Sequence, residues 1–296
     1  MKEQLQKLTN HRLQYLINRK KADRGISPGD LEVLERKLEL MDQRKVYAIK
    51  GKVLVNVTEL EADEDERLQA IYYDGHTKLF FKDKDDFYLE EIVEKRKALV
   101  AGDELVEDMA LPTPEEEEFL SFETDNEERF HFEYDRMAAV QYAERYWNTS
   151  NPRYKSFTDN CTNFISQCLF AGNSPMHGFP GRGKGWWMKS SNWSYSWTVA
   201  HSLTTYLANS KKGIRGHQVS SPDKLSAGDI ICYDFQGDGR FDHTTIVVAK
   251  DSDDMPLVNA NTYNSRMRYW SYEDSTAYTE NIKYKFYRLK DSTHAD

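Results

Sequence analysis

Between residues 101 and 131 the chain carries twelve Asp and Glu against a single Arg, and within that run Leu111-Pro112-Thr113-Pro114 leads into four consecutive glutamates, Glu115 to Glu118. Proline cannot donate to a helix or sheet ladder, and crowded like charges repel. One continuous core cannot run through such a stretch. It predicts a solvated connector over 111–133, with an acidic interaction tail as the functional alternative, and divides the chain into an N-terminal region, 1–110, and a C-terminal domain, 134–296. The halves also differ in character, since all six Trp and ten of the fifteen Gly follow residue 134.

The N-terminal region opens on helical spacing, Leu5, Leu8, Leu13, Leu16 and Ile17, then Leu31, Leu34, Leu38 and Met41. Strand-like segments follow at 46–49 and 53–57, then at 69–73 and 78–81 on either side of the turn signal Asp74-Gly75. Residues 87–100 read as a further helix, and His76 as a surface residue at the turn. No His, Cys or paired-carboxylate constellation stands out, so this α+β region is expected to have a structural or positioning role. The C-terminal domain predicts helices over 134–147, 161–171 and 196–208, in the first of which Met137, Val140, Ala143 and Trp147 share a face. Strands are expected at 229–235, 244–249, 257–260 and 282–289. Helices first and an antiparallel sheet afterwards make the fold class α+β.

A net charge of −9 argues against a nucleic-acid or anionic-membrane binder, either of which needs basic surface. No window approaches the ~20 apolar residues of a membrane span. The opening Met1-Lys2-Glu3-Gln4-Leu5 lacks the apolar core of a signal peptide, so the expected location is cytoplasmic. Three cysteines, Cys161, Cys168 and Cys232, read as reduced thiols. No pair has zinc-ligand spacing, and Asp234, Asp238 and Asp242 read as turn formers, not a calcium loop. Neither a metal nor another cofactor is called for, and the oligomeric state is left open.

The chemistry concentrates at Cys161. Thr158, Asp159 and Asn160 are all good helix N-cap residues, and Phe164, Ile165, Cys168 and Leu169 form one apolar face behind the cysteine. A thiol in the first turn feels the positive end of the helix dipole and unpaired N–H groups, which favour thiolate and can hold an oxyanion. The competing reading is a small buried residue, the reading preferred for Cys168 and Cys232. A thiolate needs a base. His243 has the best setting, after the glycine turn Gln236-Gly237-Asp238-Gly239-Arg240 and at the start of a strand; His177 and His217 are minor alternatives, and His201 reads as packing or surface. The orienting group would come one strand later, Asn261 with Asn259 as its competitor.

These residues resemble the putative amidase domain of Gram-positive bacteria, a relative of papain-like and NlpC-type cell-wall hydrolases. The likeness is carried by Tyr134-Asp135-Arg136, Trp147-Asn148, Asn151-Pro152-x-Tyr154, Asn160-Cys161-Thr162-Asn163-Phe164, Ser166-Gln167-Cys168-Leu169, Gly185-Trp186-Trp187, Ser196-Trp197, Gly228-Asp229-Ile230 and Asp242-His243, across about 134–290. It implies a papain-like, NlpC-like domain in which Cys161 is nucleophile and His243 base, acting on a peptide- or muropeptide-type amide. A cell-wall substrate would call for spore or envelope association or another export route. Tyr154 would line the oxyanion site or anchor the preceding loop. Trp186 and Trp187, with Trp193 and Trp197, would wall a substrate groove or plug the core. Two positions depart from the family: Asn160 stands where Asp often precedes the cysteine, and Asn261 where His often precedes Thr. They leave a catalytically inactive papain-like binding module as the alternative function.

Overall fold

The computed structural model describes residues 2–19, 26–62, 68–102, 104–112 and 130–291. In chain order the elements are α1 (Lys2–Asn18), α2 (Pro28–Arg44), β1 (Val46–Ala62), β2 (Gln69–Asp83), β3 (Asp86–Ala101), β4 (Glu104–Ala110), α3 (Arg136–Tyr146), α4 (Cys161–Ala171), β5 (Met188–Lys189), β6 (Asn192–Trp193), α5 (Tyr195–Thr198), α6 (Ala200–Asn209), β7 (Arg215–Val219), β8 (Ile230–Asp234), β9 (His243–Lys250), β10 (Pro256–Ala260), β11 (Ser265–Tyr269) and β12 (Lys283–Lys290). Helices and antiparallel sheet make the protein mixed α and β. Two compact units form, one from Met1–Thr113 with Tyr263–Tyr278, the other from Pro114–Thr262 with Thr279–Asp296. Residues Tyr263–Tyr278, which the sequence groups with the second domain, thus cluster with the first. Most of the expected connector, residues 113–129, lies outside the described residues.

In the first unit, Ser27 caps α2 by accepting from the Asp30 N–H at 3.2 Å, Pro28 occupies the first turn, and Lys45 ends the helix in the left-handed conformation at φ 56°. Long antiparallel strands run in the order β1-β2-β3-β11, with β4 also on β3. Leu5 of α1 packs into the inward row Val55, Ile71, Tyr73, Ala98 and Val100, the period-two face of three neighbouring strands.

Three expectations are corrected here. The segments at 46–49 and 53–57 are one strand, bent by a register shift between Ala48 and Lys50. There Gly51 admits α1 so closely that a Cβ would lie 2.6 Å from Leu13 Cδ1. Asp74-Gly75 is not a turn, because β2 runs straight through it, placing His76 in the strand 2.9 Å from Glu91 Oε2; the reversal comes at Lys84-Asp85, between the paired Asp83 and Asp86. Residues 87–100 form β3, not a helix, with Tyr88, Glu90, Arg96, Ala98 and Val100 on the buried face.

Charges are tolerated on that face because each meets a partner. Arg96 donates to Asp30 and Asp108, Arg12 to the same two carboxylates, and the Tyr73 hydroxyl to Asp108. Lys37 binds Glu90 at 2.6 Å and Asp274 at 2.7 Å, and Arg268 also holds Asp274. Burial pushes the carboxyls of Asp108 and Asp274 up. Arg96 and Arg12 beside the first, and Arg268 and Lys37 beside the second, outweigh it and hold both below the usual carboxylate range. A depressed folded pKa contributes stability that is present above the unfolded value of ~4 and lost as pH falls through the folded value. Amide exchange in β1–β3, corrected for its intrinsic pH dependence, is therefore expected to lose protection below about pH 4. Asp108→Asn should remove part of that loss; unchanged acid sensitivity would count against the assignment.

The second unit orders its strands β10-β9-β8-β12-β7. Helix α3 begins at Asp135, whose side chain accepts from the Ala138 N–H, and buries Ala139 and Ala143 while Met137 is exposed. Strands β8, β9, β10 and β12 fall within about a residue of the expected segments. The expected helix over 196–208 is broken at Val199 into α5 and α6. Asp229, at the head of β8, binds the Leu289 and Ser226 N–H groups and Arg136, pinning α3 to the sheet.

Candidate active site

Cys161 is the first residue of α4 and is 1% exposed. Asn160 is the N-cap residue, yet its side chain makes no capping bond, so it does not occupy the first-turn N–H groups that an oxyanion would need. Its amide works sideways instead. Oδ1 accepts from Phe157 N at 3.2 Å and Asn163 Nδ2 at 2.8 Å, while Nδ2 donates to Asn261 Oδ1 at 2.9 Å. Thr262 Oγ1 accepts from the Asn160 N–H at 2.6 Å and donates to Asp159. The end of β10 is thereby tied to the turn that presents the thiol.

His243 opens β9. The loop before it is fixed by Asp234, whose carboxylate accepts from the N–H groups of Gly237, Asp238 and Gly239, which accounts for the acidic turn. Gly237 is required there, with φ 74° and no room for a Cβ against the Asn281 carbonyl. The His243 ring, 5% exposed, lies beside Tyr233 and Phe235, at 5.7 and 6.1 Å between centroids. The next residue, Thr244, shares a 3.2 Å hydrogen bond with Thr162. This bond joins the residue after His243 to the residue after Cys161. Of the other histidines, His177 bonds the Tyr206 hydroxyl, His201 accepts from the Phe241 N–H, and His217 is exposed on β7.

Asn261 gives Oδ1 to Asn160 and donates Nδ2 to the Trp147 carbonyl at 3.1 Å. Asn259, its competitor, donates to Glu144. Tyr154 is half-buried and stacks on Trp197 at 6.2 Å; burial raises its phenol above the ordinary value. Trp186 and Trp187 are 0% and 1% exposed, with their indole N–H groups on Ser166 and on the Gly181 and Lys184 carbonyls. They are core here and wall no open groove. Of Trp186, Trp187, Trp193 and Trp197, Trp193 remains partly open, with the Lys155 ammonium 4.4 Å from its ring centroid and Arg182 on it as well. Cys168 and Cys232 are fully buried, and burial pushes both thiols up, Cys232 to about 12.

The amide links among Asn160, Asn163 and Asn261 were missed by sequence reasoning about roles. The sequence singles out Asn160 and Asn261 separately, but nothing in it shows that they touch. Residues 133–287 match the family described as the putative amidase domain. The chain belongs to that family. Membership in the putative amidase domain family makes amide hydrolysis, in general terms, the chemistry associated with it. Among its relatives, the protein named uncharacterized protein YhbB of Bacillus subtilis is 50% identical over 98% of this chain and 96% of its own length. Uncharacterized protein YjcM of the same organism is 32% identical over 40% of this chain and 28% of its own length. No solved structure matches. Among the described residues no helix is long and apolar enough to cross a membrane.

Proposed function

We propose that the second unit is a cysteine-nucleophile amidase or peptidase of papain-like, NlpC-like type acting on peptide-type amides. The observation that carries this reading is the Thr162–Thr244 hydrogen bond, which ties the chain at Cys161 to the chain at His243. The Cys161 thiolate, favoured by the helix dipole, attacks the carbonyl carbon, and first-turn N–H groups receive the oxyanion. The amine leaves with a proton from the His243 imidazolium, giving a thioester. His243 then takes a proton from water, hydroxide attacks the thioester, and the acid departs as the thiol is regenerated. Asn261 positions the Cys161 turn through Asn160, and the second lone pair of its Oδ1 is the group that would orient the imidazole. Tyr154, kept a phenol by burial, and Trp193 with Lys155 offer the substrate a polar and aromatic rim. Cell-wall stem-peptide amides fit this class and come first among the substrates to test.

The burial of Cys161 favours one other reading, a binding module on the same scaffold without turnover. Thiol alkylation followed by peptide mapping separates the two. For the enzyme, Cys161 is expected to label faster than Cys168 and Cys232, which are sealed in the core as thiols. Intact-mass analysis across peptide and muropeptide amides should then show one acyl group added. Equal, slow labelling of all three cysteines, with no acyl adduct on any substrate, would leave only the binding module.

A further inference from the structure

The bases of this acidic chain collect around the candidate active site. From Arg145 to Pro222 nine Lys and Arg stand against one acid, Asp159, although the whole chain carries −9. Three of the nine, Lys155, Arg182 and Lys189, are exposed and gather at the β5–β6 hairpin. Lys155 and Arg182 share one ring, the ammonium 4.4 Å and the guanidinium 5.1 Å from the Trp193 centroid. Arg182 also lies over Tyr195 at 4.8 Å and donates Nε to the Trp193 carbonyl at 3.2 Å. Lys189, over Phe179 at 4.7 Å, pairs in the hairpin with Asn192, the residue before Trp193. Among the described residues none of the three meets a carboxylate, and Asp159 accepts from the Thr262 hydroxyl. An exposed ion pair is weak in part because two long side chains must be ordered to make it. Here a ring has already ordered each cation.

The same loops are bonded to the turn that presents the thiol. Asn163 Nδ2 donates to the Lys155 carbonyl at 2.9 Å, and Phe157, edge-on to Trp193, donates its N–H to Asn160. Asn160 and Asn163 bracket Cys161 and Thr162. We propose that this rim selects peptide substrates that carry a carboxylate close to the scissile amide, the carboxylate lying between Lys155 and Arg182. This selectivity rests on Cys161 being the nucleophile, as proposed above, and narrows its peptide amides to acidic ones. A carboxylate suits the rim because the Arg182 Nη groups have no acceptor among the described residues, and a guanidinium edge matches two carboxylate oxygens. A long polyanion does not suit it, since the rest of the chain carries more acids than bases and would repel it.

Iodoacetate and iodoacetamide test this directly, because they alkylate the same thiol and differ by one charge. The iodoacetate-to-iodoacetamide rate ratio at Cys161 of the full chain should exceed that of 2-mercaptoethanol by about threefold or more. It should fall toward the 2-mercaptoethanol value in about 0.5 M sodium chloride. Lys155→Gln and Arg182→Gln should each lower the ratio, and Lys155→Arg should keep it. A ratio that survives both Gln changes together, in protein that still melts cooperatively, would overturn the proposal. The second measurement is isothermal titration of the full-length Cys161→Ser chain with acetyl-Ala-Glu-Ala-amide and acetyl-Ala-Gln-Ala-amide. The Glu peptide is expected to bind tighter by about threefold to tenfold, a margin lost when Lys155 and Arg182 are both Gln. Equal affinity for the two peptides, no heat from either, or tighter binding of polyphosphate would each overturn it. If the double variant fails to fold, the salt dependence and the peptide pair decide. If Cys161 reacts with neither reagent the nucleophile reading falls, and the titration still decides the rim.

Discussion

Cys161→Ser is expected to remove acyl-enzyme formation and to lower turnover on the order of 10³-fold or more, while the protein stays folded. The exchange alters one atom in the first turn of α4. The hydroxyl can keep the contact that the Cys161 sulfur makes with Thr162 Oγ1 at 3.6 Å, so the change in stability should stay within about 1 kcal/mol. What it removes is a thiolate that the helix terminus can stabilise; a serine hydroxyl ionises far too weakly for the same dipole to activate it. His243→Ala should cost about 10²- to 10⁴-fold, because proton transfer is lost both to the leaving amine and from the water that attacks the thioester. Acting through one another, the two losses should combine to far less than their product. The measurements are turnover of the best amide found and intact-mass detection of the adduct. Undiminished turnover in Cys161→Ser would end the nucleophile assignment outright.

How much of this was legible in the sequence depends on how local each signal is. The leucine stripes of α1 and α2 and the segments of β8, β9, β10 and β12 are local patterns and appear where expected. The segment 87–100 misled because Glu90, Glu91 and Arg96 look like solvent-facing residues, so the period-two face could not be seen. Their partners, among them Lys37, Lys78 and Asp108, lie elsewhere in the chain and are brought together only by the sheet. Asp74-Gly75 misled in a similar way, since a strong turn dipeptide was overridden by pairing on both sides of β2. At the site, a cysteine opening a helix was visible from its neighbours, although the expected side-chain cap does not form. The sideways use of Asn160 was not, because Asn261 is 101 residues away. The tryptophans were visible as a cluster, but composition cannot distinguish a groove from a core.

Replacing Asn160 by Asp should destabilise the second unit by about 3 kcal/mol, and replacing Asn261 by His in the same chain should restore most of it. The reason lies in the direction of the amide chain. The Trp197 indole can only donate, so it fixes Asn163 with Oδ1 toward it, at 2.9 Å. Asn163 Nδ2 then donates to Asn160 Oδ1 and to the Lys155 carbonyl. At the far end the Trp147 carbonyl can only accept, so Asn261 must turn Nδ2 to it and Oδ1 to Asn160. Each member accepts on one side and donates on the other, and Asn160 stands in the middle with an asparagine on both sides. A carboxylate at 160 sets oxygen against oxygen, and flipping Asn261 only moves the clash to the Trp147 carbonyl. An imidazole at 261 supplies an N–H to that carboxylate, and when protonated a second N–H for the carbonyl. The two positions therefore touch each other and act as one unit, an amide pair that an acid–imidazole pair could replace. The single Asn160→Asp variant should also slow alkylation of Cys161 near neutral pH, because an added negative charge beside the thiol disfavours thiolate. A double-mutant cycle by urea denaturation measures the coupling, expected at about 2 kcal/mol or more. Additivity within about 0.5 kcal/mol would mean the positions vary independently, and that the start of α4 is held by something other than this pair.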